Sequence, residues 1–387
     1  MSAKQFNVNI IETVDSILRD AIKLGASDIH IEPLNDGMII RYRIDGILRE
    51  ILRADEQMRE LIIARIKIMT VLETTGQPRP QEGNIKFEID ERSVDLRVSI
   101  FPTSISEVVV LRILESTSNF ESYEALGFTQ EQTKIIESAI IKPQGLILVT
   151  GPNSSGKSST LFNILQKLNS NERSLVTLED PVERKIEMVR QTQINPDIGL
   201  TFAEGLRYLL RQDPDIIMVG EIRDKETAQI AVEAAITGHL VLATIHTNNA
   251  ASAIVRLINM GIEPFLLASS LRFISAQRLA RKNCPFCLET SVPTPELIKA
   301  INAPAEMHFS KSKGCPKCNG KGLKGRIGIH EVLLVNKTIQ NLILTKTSDD
   351  HINDMAKSEG MATLRQVALR RVDEGLISLE EAIRLTE

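Results

Sequence analysis

The sequence predicts an α/β protein with a first α+β domain, a core of alternating strands and helices, a cysteine-rich subdomain and C-terminal helices. Three observations support this fold class. From about residue 127, short apolar runs alternate with amphipathic segments, which is typical of a mainly parallel sheet covered by helices. A glycine-rich loop interrupts that alternation at 151–158. Before residue 115, apolar and polar residues alternate as in a sheet with one covered face.

Composition indicates a globular protein with an ordinary core. Of its 387 residues, 42% are hydrophobic and 25% are charged, which fits about two or three domains. The net charge of −4 argues against bulk attraction to nucleic acid or anionic lipid. Trp is absent and only three Tyr occur, so no aromatic platform for single-stranded bases is evident. We therefore expect no direct nucleic-acid partner.

The apolar segments are too short for a membrane protein. No run reaches the about 18 apolar residues that a spanning helix needs. The N-terminal segment 1–20 is amphipathic and lacks the apolar centre of a signal peptide. We therefore expect a cytoplasmic protein.

The first domain is predicted at 1–114. Apolar spacing predicts helices over Ile10–Leu24 and Met58–Leu72. Alternating runs predict strands at 28–32, 37–44, 94–98 and 108–113. The small, polar residues that follow predict an interdomain linker at 115–126.

The core is predicted at 127–278, with strands at 146–150, 175–178, 216–219 and 240–244. Ligands of such sheets bind beyond the carboxyl ends of the strands, so the motifs that directly follow these strands are the candidate site. A tetracysteine subdomain is predicted at 279–330. The remaining residues, 331–387, predict short amphipathic helices that include Glu359–Leu364 and Leu379–Leu385.

The loop after the first core strand has the spacing of a phosphate cradle, Gly-x4-Gly-Lys-Ser. Small residues let successive backbone N–H groups turn inward, and the following helix offers its positive N-terminal end to an anion. Lys157 would reach the β- and γ-phosphates, and the Ser158 hydroxyl would ligate Mg²⁺. The alternative is a Gly/Ser loop without a binding function. The strand-like run before the loop and the helix-like run after it argue against that alternative. The residues assigned to the cradle are Gly151, Pro152, Asn153, Ser154, Ser155, Gly156, Lys157, Ser158 and Ser159.

Carboxylates follow two of the other strands, in Glu179-Asp-Pro-Val-Glu183 and Gly220-Glu-Ile-Arg-Asp224. In a nucleotide hydrolase, a strand beside the cradle strand ends in an acid that holds Mg²⁺ through water or polarises the attacking water. Glu221 is the first candidate, and Glu183 and Asp180 support it. For each acid the alternative is a helix cap or a solvated loop.

Two histidines lie at strand ends and can donate to an anion through one ring nitrogen while the other is anchored. His246, which Thr244, Thr247 and Asn248 flank, is the stronger candidate for sensing a γ-phosphate. His239 follows Gly238, and capping of that turn is an equal alternative.

The four cysteines form two C-x2-C knuckles. In a reducing compartment, paired knuckles favour four thiolates around one tetrahedral Zn²⁺, a closed structural site. A redox role would need only one pair and is the alternative. His308 lies between the knuckles and is interpreted as a surface residue. The predicted ligands are Cys284, Cys287, Cys315 and Cys318.

Together these motifs resemble those of the secretion and assembly ATPases, the motors of type II secretion and type IV pili. The resemblance covers residues from about 10 to the C-terminus. It rests on an aspartate box at Thr177–Glu183, a Walker B region at Gly220–Asp224 and a histidine box at Gly238–Asn248. The stretches Gly199–Asp215 and Gly25–Pro33 agree with it. The cysteine knuckles and Gly325–Glu331 resemble the extension and secretion branch, since retraction motors typically lack the tetracysteine element.

The resemblance implies a RecA-like P-loop core, Mg²⁺-dependent ATP hydrolysis and a homo-hexamer that acts on an inner-membrane platform protein. Each ATP site would lie between the two domains of one subunit and a neighbour. Glu221 would position or polarise the water, with Glu183 assisting and His246 responding to the γ-phosphate. Arginines would neutralise charge on the transferring phosphate: Arg97 and Arg112, with an exposed strand face as the alternative, and more weakly Arg207 and Arg211.

Some residues depart from the family pattern. The family has Thr where Asn153 and Ser159 stand and Gly where Ser154 stands, so a left-handed backbone at Ser154 would cost more than in relatives. Ser106 replaces a Gly. Many relatives carry a further N-terminal domain that docks onto a membrane partner, and we expect this chain to lack it. Two rival functions are a non-hydrolysing nucleotide-binding regulator and a DNA-handling motor or recombinase.

Overall fold

The protein is described by a computed structural model that covers residues 9–90, 92–114, 122–301, 304 and 306–386. The chain divides into two compact units, Met1–Asn119 and Phe120–Glu387. Of the linker predicted at 115–126, residues 115–121 lie outside the described residues. The rest of it includes a short helix, α3 (Tyr123–Leu126), which the Ser122 side chain caps.

The first unit is an antiparallel sheet with two helices packed on it. The strand order is β3-β2-β1-β6-β5-β4. Its elements are α1 (Ile10–Lys23), β1 (Ala26–Leu34), β2 (Gly37–Ile44), β3 (Ile47–Ala54), α2 (Glu56–Met69), β4 (Gln81–Ile89), β5 (Arg92–Pro102) and β6 (Glu107–Leu114).

One face of this sheet is covered, as the alternating pattern predicts. Along β5, Val94, Leu96 and Val98 are buried and join the apolar cluster to which α1 and α2 contribute. The α1 helix begins where Asn9 accepts hydrogen bonds from the next turn, which satisfies N–H groups that have no partner within the helix. The sequence therefore predicted both helices and the strands β1, β2, β5 and β6 at nearly the observed positions, and it missed β3 and β4.

The second unit has a seven-stranded sheet of order β15-β12-β7-β11-β10-β8-β9. Its neighbouring strands are parallel, except that β15 pairs antiparallel with β12. These strands are β7 (Gly145–Thr150), β8 (Leu175–Glu179), β9 (Val189–Gln193), β10 (Ile216–Val219), β11 (Leu240–Ile245), β12 (Leu271–Asn283) and β15 (Leu323–Leu334). A separate short pair is formed by β13 (Leu288–Thr290) and β14 (Ser310–Ser312).

Helices cover both faces of the large sheet. All of β7 is buried. Leu146 and Leu148 join one apolar cluster while Ile147 and Val149 join another, so the strand lies between two cores. The helices of this unit are α4 (Gln130–Ile140), α5 (Lys157–Leu168), α6 (Phe202–Leu209), α7 (Lys225–Ile236), α8 (Ala250–Asn259), α9 (Pro264–Ser270), α10 (Pro295–Ile301), α11 (Lys337–Leu344), α12 (Asp349–Ser358), α13 (Leu364–Asp373) and α14 (Leu379–Thr386).

The parallel register brings the carboxyl ends of four strands to one edge. Thr150 of β7 lies opposite Ile245 of β11 on one side and Ala276 of β12 on the other. Val219 of β10 lies opposite Ala243 of β11. The loops after β7, β10 and β11 therefore meet, and β12 runs on beside them.

One predicted helix is wrong. Glu359–Leu364 is the connection between α12 and α13, because Gly360 has φ +97° and Thr363 caps the next helix. A glycine in this left-handed conformation ends helices, and the short apolar spacing there belongs to the start of α13. The predicted helix over Leu379–Leu385 agrees with α14.

The mixed α/β fold class is confirmed. Across the described part of the chain, every helix is too short or too polar to cross a bilayer.

Candidate nucleotide site

The phosphate loop follows β7 and leads into α5. Gly151 has φ +148°, and a Cβ there would lie 2.5 Å from the Gln277 carbonyl oxygen. Gly156 has φ +90° and occupies the N-cap position of α5. Both glycines are required, the first by close packing against β12 and the second by a left-handed turn. The open backbone at the start of α5 is the geometry that an anion needs.

Ser154 adopts the left-handed conformation that its position implied, with φ +60°. A non-glycine residue there stores backbone strain of about 1 kcal/mol. Next to it, the Ser155 hydroxyl is buried and has no hydrogen-bond partner among the described residues. A strained turn and an unsatisfied hydroxyl in one loop fit a site that a polar ligand completes.

Lys157 lies over the loop. Its Nζ donates to the carbonyl oxygens of Gly151 and Pro152, at 3.0 Å each. Burial lowers the pKa of Lys157, Arg278 lowers it further, and Glu221 raises it. The Lys157 ammonium is thus held by main-chain carbonyls, with Arg278 as a second cation and Glu221 as an acid nearby. Phosphate oxygens would be better partners for this ammonium than carbonyl oxygens.

Glu221 follows β10 and lies between two strand ends. The Gly220 N–H donates to the Leu178 carbonyl at 2.7 Å, and the Thr244 hydroxyl donates to the Gly220 carbonyl at 2.6 Å. The carboxylate is paired with Arg223 and lies 3.6 Å from His246 Nε2. Its side chain is only 14% exposed, so these contacts fix an acid beside the phosphate loop.

The acids after β8 differ sharply in environment. Glu183 and Asp180 are exposed. Glu179 is buried, accepts from the Thr177 hydroxyl at 2.5 Å and from the Gln191 amide at 2.9 Å, and has its pKa raised by burial. Sequence reasoning selected Glu183 and did not select Glu179, although the position of Glu179 as the last residue of an apolar strand was a usable signal.

The two histidines have separate environments. Burial lowers the pKa of His246, and Lys157 lowers it further, so the imidazole that faces Glu221 is neutral near pH 7. His239 Nδ1 lies 3.0 Å from the Ala234 carbonyl oxygen. His239 therefore caps the turn after α7, which was the alternative interpretation of this residue.

Gln277 of β12 holds the phosphate loop through hydrogen bonds of its side-chain amide. This residue was not predicted from the sequence. Its amide donates to the Ser155 carbonyl at 2.9 Å and accepts from the Thr160 hydroxyl at 3.0 Å. The side chain is 1% exposed. A glutamine within an apolar strand was the available signal, because buried amides are retained where they have partners.

The arginines proposed for charge neutralisation are already engaged. In the first unit, Arg97 pairs with Glu82 at 2.7 Å and Arg112 with Asp28 at 2.9 Å. The two arginines lie opposite each other on β5 and β6. On α6, Arg207 pairs with acids on its own helix and on α7. Arg211 lies near the Tyr208 ring.

The four cysteines converge. Their Sγ atoms all lie within 4.8 Å of one another, with Cys284–Cys315 and Cys287–Cys318 at 3.9 Å. A tetrahedral Zn²⁺ with Zn–S of about 2.3 Å has S–S edges of about 3.8 Å, whereas a disulfide needs about 2.05 Å. The donor set therefore fits one Zn²⁺. His308 lies outside it and is 86% exposed.

Comparison with known proteins identifies the family. The family model described as "Type II/IV secretion system protein" matches residues 4–384. "Type II secretion system ATPase E" of Vibrio cholerae is 46% identical over 380 residues, which make up 98% of this chain and 75% of the relative. "Type IV pilus assembly ATPase PilB" of Thermus thermophilus is 43% identical over 377 residues, 96% of this chain and 42% of that protein.

Solved structures give the same result. The crystal structure of the pilus retraction motor PilT with bound ADP has 27% sequence identity, a TM-score of 0.64 and coverage of 96% of both chains. The resemblance inferred from the motifs is confirmed, and with it the RecA-like P-loop class. The chain belongs to the type II/IV secretion system protein family and is one of its ATPases.

Proposed function

We propose that this ATPase works as a ring of six copies at the cytoplasmic face of the inner membrane, where it drives a platform protein. The work is type II secretion or the assembly of pilus or pseudopilus subunits. Family membership supports this proposal, since the relatives carry names from both systems. The observation that carries the chemistry is the enclosed acid Glu221 beside the Lys157 loop.

ATP would be held by the loop from Gly151 to Ser159. The backbone N–H groups of the loop and the start of α5 would bind phosphate oxygens, and Lys157 would exchange its two carbonyl contacts for the phosphates. Ser158, in the first turn of α5, would hold Mg²⁺, which neutralises charge on the phosphates when bound.

Glu221 would take up or orient the proton of the attacking water. Its pairing with Arg223 and its contact with His246 hold the carboxylate in place, which is what a general base requires. Glu183 is exposed on the neighbouring loop and would assist, with the buried Glu179 shaping that loop. His246 would respond to the terminal phosphate through Nε2, the ring nitrogen that faces Glu221.

The finer organisation that we propose keeps the predicted boundaries at 1–114, 115–126 for the linker, 127–278, 279–330 and 331–387. The tetracysteine cluster would bind Zn²⁺ as a structural element, which the Sγ separations support. Arg97 and Arg112 remain the proposed arginines of the first domain, and in hydrolysis they would have to leave the acids that they now contact.

Replacement of Glu221 tests the hydrolytic function. We expect Glu221→Gln to lower phosphate release from ATP by about 10²-fold or more, because a positioned base contributes that much, while ATP binding stays intact. Glu226→Gln, an exposed acid on α7, is the matched control and should keep wild-type turnover. Unchanged phosphate release in Glu221→Gln would instead favour the non-hydrolysing regulator.

A further inference from the structure

Arg278 extends β12 past the end of its pairing with β7. The last paired residue of β12 is Ala276, opposite Thr150, and the phosphate loop begins directly after Thr150, where β7 ends. The Gln277 carbonyl packs against Gly151. Arg278 Nη1 donates to that same carbonyl at 3.1 Å, so the guanidinium lies beside the start of the phosphate loop.

The same guanidinium reaches the loop after β11. Arg278 Nη2 donates to the Asn248 carbonyl at 3.0 Å. In the sheet, β7 lies between β12 and β11. The Arg278 side chain therefore reaches from β12 across Gly151, the first residue of the phosphate loop, to the loop after β11. The loop that it holds also carries His246, which faces Glu221.

The charge on Arg278 is poorly compensated. Among the described residues, no carboxylate lies within ion-pair distance of it, and its two side-chain hydrogen bonds go to main-chain carbonyls. Arg281, three residues further along β12, is by contrast paired with Glu381. Burial lowers the pKa of Arg278, and Glu331 raises it from a greater distance. A partly buried cation without a counter-charge is costly.

A second cation lies at the same edge. Lys157 is partly buried, and Arg278 disfavours its charged form. Glu221 is the acid that attracts Lys157, and it is already paired with Arg223. Two under-compensated cations therefore flank Gly151, and a bound polyanion would relieve both.

We propose that Arg278 is a phosphate-binding residue of the nucleotide site, and that it binds the terminal phosphate while holding the loop that carries His246. The inference rests on the proposed nucleotide site. The water that Glu221 would orient must reach the terminal phosphate. Arg278 is hydrogen-bonded to the loop that carries His246, and His246 faces Glu221. The presence of that phosphate would then change the position of the His246 loop.

A different result is expected if Arg278 only connects β12 to the loop after β11 through its hydrogen bond to Asn248. Such a connection would stabilise the site equally whichever nucleotide is bound. A phosphate ligand discriminates between nucleotides that have the terminal phosphate and those that lack it, because a charge-assisted hydrogen bond forms only with the first.

Nucleotide binding by Arg278→Gln separates the two cases. The full chain, with Mg²⁺ present, is titrated with ADP and with a non-hydrolysable ATP analogue. We expect the variant to bind the analogue about tenfold more weakly, a loss of about 1.4 kcal/mol, because it lacks a hydrogen bond to a charged group. It should bind ADP within about twofold of wild type. Arg278→Lys should recover part of the loss.

Arg272→Gln is the matched control, because Arg272 lies on the same strand and also donates to a carbonyl, that of Gln144, at the opposite end of β7. It should leave both affinities unchanged. Equal loss for ADP and the analogue in Arg278→Gln, or no loss for either, would overturn the inference. Should that variant fold poorly, the same comparison in Arg278→Lys decides. A wild-type chain that bound neither nucleotide would count against the nucleotide site itself.

Discussion

Glu221, the proposed base, is held in place by its neighbours. Gly220 lacks a Cβ, and one added there would lie 3.1 Å from the Leu178 carbonyl, so the backbone before Glu221 packs against β8. The Thr244 hydroxyl holds the same peptide from β11. The carboxylate is therefore fixed by two strands and has little freedom to lose when substrate binds, which is what preorganised catalysis requires.

His330 gives the second unit a sensitivity to acid. Its ring is buried, stacks on Phe128 with ring centroids 3.6 Å apart, and lies 3.1 Å from the Leu126 carbonyl through Nε2. Burial lowers its pKa from 6.5 to about 4. Because the folded pKa lies below the unfolded one, the unfolded chain binds the proton first as pH falls. The stability is complete above pH 6.5 and is lost towards pH 4.

We expect His330→Gln to weaken this acid sensitivity. Between pH 6.5 and 4, the wild type should lose up to about 1.4 kcal/mol of unfolding free energy per pH unit more than the variant does. Urea unfolding of the full chain at pH 7 and pH 5, followed for both proteins, measures the difference. Parallel losses in the two proteins would mean that His330 does not titrate on unfolding.

At the scale of elements, the tetracysteine segment is attached to the large sheet at the end of β12. The Asn283 side chain, at the end of β12, donates to the carbonyls of Ser310 and Gly375. The Cys284 N–H donates to the Gly322 carbonyl. Few apolar residues surround the cysteines themselves, so a bound metal would supply most of the local stability.

Removal of the metal should therefore unfold this segment selectively. Bound structural Zn²⁺ contributes on the order of 10 kcal/mol in isolated peptides, and the strands around the phosphate loop have their own apolar clusters. We expect a chelator to speed hydrogen exchange over 284–318 and to leave β7 and β11 protected.

Cys318→Ser, prepared without chelator, should reproduce the exchange pattern of the chelated wild type. If exchange rose equally in β7, the metal site and the nucleotide core would be one cooperative unit, contrary to this expectation. Metal analysis of the untreated protein should return one Zn²⁺ per chain.

At the scale of the whole molecule, the chain shares its fold with a pilus retraction motor, and the proposed function needs more than one copy. The chain matches about three quarters of the type II secretion relative and 96% of the retraction motor structure. In the proposed ring, each site would depend on the neighbouring subunit, so hydrolysis in one copy would be coupled to its neighbour.

Mixing of subunits tests that coupling. If each site needs an active neighbour, a ring assembled from equal amounts of wild type and Glu221→Gln should retain about a quarter of the wild-type turnover instead of half. Equal mixing with Glu226→Gln should leave turnover unchanged. Activity that fell in simple proportion to the Glu221→Gln fraction would contradict neighbour-dependent sites.

The sequence by itself determined the fold class, the strands β7, β8, β10 and β11 of the parallel sheet, the phosphate loop and the cysteine pairs. These features are local: a buried strand is a short apolar run, and a cradle or a knuckle is fixed by spacing within one segment. Ser154 is an example: the motif places it where relatives carry Gly, and its backbone is left-handed. The family followed from the same local motifs.

Only the tertiary structure decided which side chains share the site. Gln277 and Arg278 lie more than a hundred residues from the phosphate loop in sequence, and the pairing of β12 with β7 brings them to it. Burial of Glu179 and exposure of Glu183 were likewise decided by packing, because both belong to one short acidic motif. A local pattern can show that a polar residue lies in an apolar strand, as for Glu179 and Gln277, but it does not show which distant side chains that residue meets.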